Sequence, residues 1–185
     1  MNLAPLQLTP MYTPISEGGI GDGQYWNNKS LYNTTEYSQK MLEYTSTVNT
    51  LFEYGVPFNT VIKSRWPGAV FTLFDVHSLL VDIYKNPESY LDAPYNVTGY
   101  YNHCFIDGRP CVNQSDLGPL SGFLWYDELH PSYKTGESLS RSLFVSCRIY
   151  GAWHTPTARV LTWSSRFYHR RELHRRSGRK LDICH

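Results

Sequence analysis

Asp127 and His130 stand three residues apart in the run Trp125-Tyr126-Asp127-Glu128-Leu129-His130-Pro131. In a turn that follows a strand, this spacing lets the carboxylate reach the imidazole Nδ1. The other nitrogen, Nε2, then stays free to face a cleft. Acyl transfer by a serine asks this of its base: a fixed tautomer, a stabilised imidazolium and a nitrogen aimed at the nucleophile. An incidental Asp–His contact in a surface loop gives the same spacing, so the residues alone leave both readings open.

Other chemistry-bearing residues form weaker patterns. Asp75 and His77 are two residues apart and can chelate a metal, but an Asp at the start of an apolar-periodic run is also a helix cap. His169, His174, Cys184 and His185 are scattered with no metal-ligand spacing. The glycines in SEGGIGDGQYWNNKS (16–30) are not followed by the Lys-Ser/Thr of a phosphate loop, and they read as a flexible loop. Trp26, Trp66, Trp125 and nearby tyrosines can stack on sugar faces or pack as core and rim.

The four cysteines, Cys104, Cys111, Cys147 and Cys184, make neither a CxxC pair nor a zinc ribbon. Cys104 and Cys111 bracket the turn-rich FIDGRP, a loop that can close as a disulfide, with Cys147 and Cys184 expected not to pair with each other. Four sequons, at Asn28, Asn33, Asn96 and Asn113, exceed the roughly two that chance supplies and are candidate glycosylation sites. Both features favour an extracellular setting. The first 25 residues carry no basic segment followed by an apolar run, so no signal peptide is read there.

With 185 residues the chain has room for one domain. Aromatics at 15% and charged residues at 18% exclude a disordered polyelectrolyte or a coiled coil, and no stretch approaches a membrane span of roughly 20 apolar residues. The net charge of +1 conceals a break: residues 1–147 hold 8 Lys+Arg against 14 Asp+Glu, and residues 148–185 hold 9 against 2. The second segment has no clean apolar period. It reads as a basic arm for an anionic partner, a disordered tail, or a foreign reading frame.

The elements that must position these groups follow from periodicity. The opening MNLAPLQLTPMYTP reads as the end of a buried strand running into extended loop. Tyr37, Met41, Tyr44, Val48, Leu51 and Phe52 predict a core-packing helix over 34–54, capped by Asn33 or Thr34 and stopped by Gly55. AVFTLF (69–74) predicts a buried parallel strand, and Asp75 caps a helix ending at Asn86-Pro87. Residues 91–122 read as irregular. Phe123–Tyr126 is a short apolar segment, and 133–147 a last helix. This order predicts an α/β fold with a parallel sheet between helical layers.

FLWYDELHPS, together with TLFDVHSLLVDIYKNPESY upstream, resembles the C-terminal half of SGNH (GDSL-type) lipases and acylhydrolases, most closely the fungal secreted esterases of carbohydrate esterase family sixteen. The resemblance covers residues 1–146. It implies a partial three-layer α/β/α fold lacking its first strands, with His130 as the base of a Ser-His-Asp triad and Asp127 as its orienting partner. Phe74–Ser78 and Asn86–Tyr90 match a structural hallmark of the family. Its Gly-Asp-Ser nucleophile block and its oxyanion-hole Gly and Asn have no counterpart here, while Met1–Pro5 resembles a segment that lies after all three. Met1 is therefore expected to be an internal methionine, residues 1–147 the C-terminal part of the hydrolase domain, and the chain inactive alone. An acetylated sugar or similar ester is the expected substrate of the whole enzyme. No cofactor, metal, nucleic acid or membrane is expected, and the chain is expected to be a monomer. The alternative is a non-catalytic carbohydrate-binding remnant that uses its exposed aromatics.

Overall fold

The computed structural model describes residues 1–69 and 71–151. Most of the basic segment 148–185 lies outside them, and so does the relation of Cys147 to Cys184. In chain order, α1 (Thr34–Pro57), α2 (Val76–Lys85), β1 (Asn96–Tyr100), β2 (Asn102–His103), β3 (Val112–Asn113), β4 (Phe123–Trp125) and α3 (Tyr133–Gly151) are joined by loops and short helical turns. No helix among the described residues is long and apolar enough to cross a membrane.

The centre is a parallel pair, β1 beside β4, with Asn96 opposite Phe123 and Tyr100 opposite Trp125. All three residues of β4 are buried, as a continuous apolar run in a covered parallel strand should be. Trp125 Nε1 donates to the Val97 carbonyl at 3.0 Å and ties the two strands through a side chain. Leu79, Leu80 and Ile83 bring one face of α2 onto this pair, and Leu91, Tyr100, Leu124 and Trp125 complete the core. Mixed helix and strand around a short parallel sheet is compatible with α/β.

The strand partners differ from expectation. Among the described residues of the run, 69 and 71–74, none pairs as a strand, and β1 instead comes from the stretch read as irregular. Apolar content alone decided that reading of 69–74, but a strand exists only where a neighbour takes its hydrogen bonds. β1, NVTGY, is too polar to stand out by pattern. The opening residues likewise form no strand. They run past the start of α2, where Asn2 N donates to the Phe74 carbonyl at 3.1 Å, Asn2 Nδ2 donates to Asp75 at 2.6 Å and Asn2 Oδ1 accepts from His77 N at 3.0 Å.

Caps follow the sequence. Asn33 Oδ1 accepts from Glu36 N at 3.2 Å, and Asp75 Oδ1 accepts from Ser78 N at 3.0 Å. Gly55 does not stop α1, which continues to Pro57 and a wider turn at Phe58–Ile62. Nor is α1 a core helix: Thr45 is its one buried residue, while Tyr44, Leu51 and Phe52 are exposed. A polar clasp holds it to the body, with Asn49 Oδ1 accepting from Leu3 N at 2.7 Å and its Nδ2 donating to Leu3 O at 3.0 Å. Leu51, Phe52, Trp66 and Phe71 line an open groove of about 240 Å³ on this side.

Cys104 and Cys111 are bonded to one another and close a loop beyond the antiparallel pair β2–β3.

Candidate active site

The chain leaves β4 at Trp125 and returns at once. Tyr126 N donates to the His130 carbonyl at 2.8 Å, Ser132 N to the Leu124 carbonyl at 2.8 Å, and Trp125 bridges Pro131. The turn between is organised by Asp127. Its Oδ1 accepts from Leu129 N at 2.9 Å and from His130 N at 2.7 Å, the self-satisfied turn that a short acidic side chain favours. Both carboxylate oxygens lie 3.0 Å from His130 Nδ1. The carboxylate is mostly covered, at 14% exposure, whereas the imidazole is 58% exposed. With Nδ1–H donating to Asp127, Nε2 is the free nitrogen of an exposed ring. That arrangement can accept a proton from a nucleophile and hold the resulting imidazolium beside a fixed negative charge.

Glu128 points inward, and sequence reasoning missed it. It is buried, its backbone carbonyl accepts from Met11 N at 2.8 Å, and its Oε1 accepts from Tyr25 N at 2.8 Å. Burial pushes its carboxyl above the ordinary range; the backbone N–H groups of Tyr25 and Gln24 pull it back, Asp127 adds to the rise and Lys29 opposes it. Its Oε2 has no hydrogen-bond partner among the described residues. Tyr25 lies against the imidazole, ring centroids 6.0 Å apart and planes at 67°. Burial first, then the charges of Asp127 and Glu128, raises the Tyr25 hydroxyl.

The glycine-rich loop is therefore fastened, not free. Lys29 is wholly buried within it and donates to the carbonyls of Thr13 at 2.6 Å and Pro10 at 3.4 Å. Burial lowers its ammonium to about 8, against the pull of Glu128. A lysine in a polar, glycine-rich stretch signals solvent exposure, and nothing in the spacing announces this contact.

The remaining candidates fall apart from the pair. Asp75 caps α2 and binds Asn2, and among the described residues no three His, Cys, Asp or Glu side chains gather as a metal site. His169, His174, Cys184 and His185 lie outside the described residues. Trp125 is a core residue, so it offers no sugar platform, and Trp26 packs among Tyr32 and Tyr37; Trp66 is half exposed, on the α1 side. Of the sequon asparagines, Asn28, Asn33 and Asn113 are exposed, while Asn96 is half-buried and accepts from Gly99 N at 2.8 Å. Ser132, the serine nearest His130 in sequence, is buried against Thr135, and no Gly-Asp-Ser run occurs in the 185 residues.

No protein-family model matches the chain. It is 54% identical over 132 residues to a protein named acetylesterase from Hypocrea jecorina, a match that takes in 71% of this chain and 37% of that relative. The chain thus spans little more than a third of the relative's length. The likeness supports an acetylesterase-type relationship and, with it, ester hydrolysis as the chemistry concerned.

Proposed function

We propose that the chain carries the acid–base part of an SGNH-type ester hydrolase that removes acetyl groups from carbohydrate or a similar alcohol. His130 is the base and Asp127 its orienting carboxylate. The observation that carries this reading is the pair itself: a covered carboxylate 3.0 Å from Nδ1 of an exposed imidazole, in a turn pinned to a buried strand.

In the proposed reaction His130 Nε2 takes the proton of a serine hydroxyl as its oxygen bonds to the ester carbonyl carbon. Asp127 stabilises the imidazolium. The proton passes to the departing alcohol oxygen as the ester bond breaks, leaving an acyl-serine that water cleaves by the same steps. The serine and the oxyanion donors belong to polypeptide beyond these 185 residues, so the chain alone is inactive. The disulfide and the exposed sequons support an oxidising, extracellular setting for the complete protein.

The test joins this chain to the part of the Hypocrea jecorina relative that lies outside the match. A fusion with a cooperative thermal transition should hydrolyse p-nitrophenyl acetate at about 1 per second or faster, falling by roughly 10³-fold or more in His130→Ala. The isolated chain should not exceed an equal concentration of free imidazole. A folded, active fusion that keeps its rate in His130→Ala sinks the proposal, as does His130-dependent turnover by the chain alone.

A further inference from the structure

Glu128 sits between the two members of the Asp127–His130 pair and yet faces away from them. One residue therefore makes two ties to a distant segment: its carbonyl holds Met11 N and its carboxylate holds Tyr25 N. The stretch between those two points contains Gly18, Gly19, Gly21 and Gly23, which have no side chains with which to anchor it. Gly23 passes so close that a Cβ there would stand 1.8 Å from Glu128 Oε2. At the far end of the loop, buried Lys29 grips the backbone at Pro10 and Thr13. The ring this assembly places beside His130 is that of Tyr25.

A buried carboxylate with one oxygen unpartnered is a costly way to close a loop, because an apolar contact would do so without desolvating a charge. Its geometry supplies something an apolar contact lacks, a directed bond to the backbone N–H of the residue that touches the imidazole. We propose that Glu128 is a positioning residue that holds Tyr25 beside His130, and that Tyr25 is the wall bounding one side of the imidazole's reacting space. A reagent that approaches the imidazole from the Tyr25 side meets this wall. For esters the consequence rests on the hydrolase reading above, but the fastening and its effect on the imidazole do not.

Carbethoxylation of the imidazole by diethyl pyrocarbonate, followed on the intact chain by peptide mass spectrometry, reads access to His130 without ester turnover. His77 and His103 serve as internal references. Tyr25→Ala should raise the rate at His130 about threefold or more, Glu128→Ala should reproduce that rise, and the double variant should add nothing further, since both remove one arrangement. Glu128→Gln, whose Oε1 still accepts from Tyr25 N, should stay within about 1.5-fold of the parent. If Glu128→Ala does not fold, Glu128→Asp carries the same expectation, being one methylene too short to reach. The proposal is overturned if Tyr25→Ala leaves the rate at His130 unchanged. It also fails if loss of the Glu128 carboxylate leaves that rate unchanged or raises His77 and His103 in step, or if Glu128→Gln behaves as Glu128→Ala. Because no outcome reads hydrolysis, a failure here leaves the esterase proposal standing, and an inactive fusion leaves this one standing.

Discussion

Lys29 Nζ donates to the Thr13 carbonyl at 2.6 Å from a side chain with no exposed surface, and no carboxylate lies within ion-pair distance of it among the described residues. The ammonium is held by the carbonyls of Thr13 and Pro10 and lies 5.7 Å from the centre of the Trp26 ring; burial brings it to about 8, against the pull of Glu128.

That placement sets an alkaline limb of the stability curve. The unfolded lysine keeps its proton to about 10.4, so between pH 8 and 10 the unfolded chain binds more protons than the folded one. Stability must then rise with pH across that window. Urea unfolding at pH 7.5, 8.5 and 9.5 should show a gain of no more than about 3 kcal/mol, absent in Lys29→Met. Above pH 10 the trend reverses. Tyr100, raised to about 12 by burial and by Glu128, holds its proton more tightly when folded, and that contribution is lost as the pH climbs from 10 to 12.

Glu128 acts in the opposite sense on the acid side. Its folded value is raised, so its contribution is complete below the ordinary glutamate range and is lost as pH rises through the folded value. Glu128→Gln removes the ionisation. Thermal melts from pH 4 to 8 should show the parent falling steadily behind the variant as pH rises; a constant gap would contradict the buried carboxylate.

Two glycines should respond in opposite directions to alanine. At Gly23 the new methyl group meets Glu128 Oε2 at 1.8 Å and Ile20 Cδ1 at 2.5 Å, and displacing both should cost about 1–3 kcal/mol. At Gly55, inside α1, nothing lies within 4 Å, and alanine should stabilise the helix by about 0.5–1 kcal/mol. Denaturation midpoints of the two variants check both signs. A stabilised Gly23→Ala would show that the loop does not approach Glu128.

Replacing Cys104 and Cys111 together by alanine opens a loop of separation 7 and should cost about 2–3 kcal/mol if the bond acts by restricting the unfolded chain. Peptide mapping of the oxidised parent should recover the two cysteines in one linked fragment.

Local chemistry was legible in the sequence, and long-range pairing was not. The caps at Asn33 and Asp75, the apolar run Phe123–Trp125 and the proximity of Asp127 to His130 are each settled within four residues. The strand at 96–100 escaped because its residues are polar and its identity comes from β4, well along the chain. Helix α1 was read correctly as a helix but wrongly as core, since periodicity reports a stripe and not whether anything covers it. Lys29 and Glu128 were invisible for a related reason: charged side chains are taken as solvated until a three-dimensional partner says otherwise.

The proposed base and its orienting carboxylate lie in one short turn. Asp127 fixes His130 through bonds made inside four residues, and the strand end at Trp125 meets Pro131 to close the piece. The mutual geometry of the pair therefore does not depend on assembly with any other polypeptide. Only its aim does. Spliced onto a different buried strand end, Trp125–Pro131 should carry the bonds between Asp127 and His130 with it, provided the new setting also receives the buried Glu128 side chain.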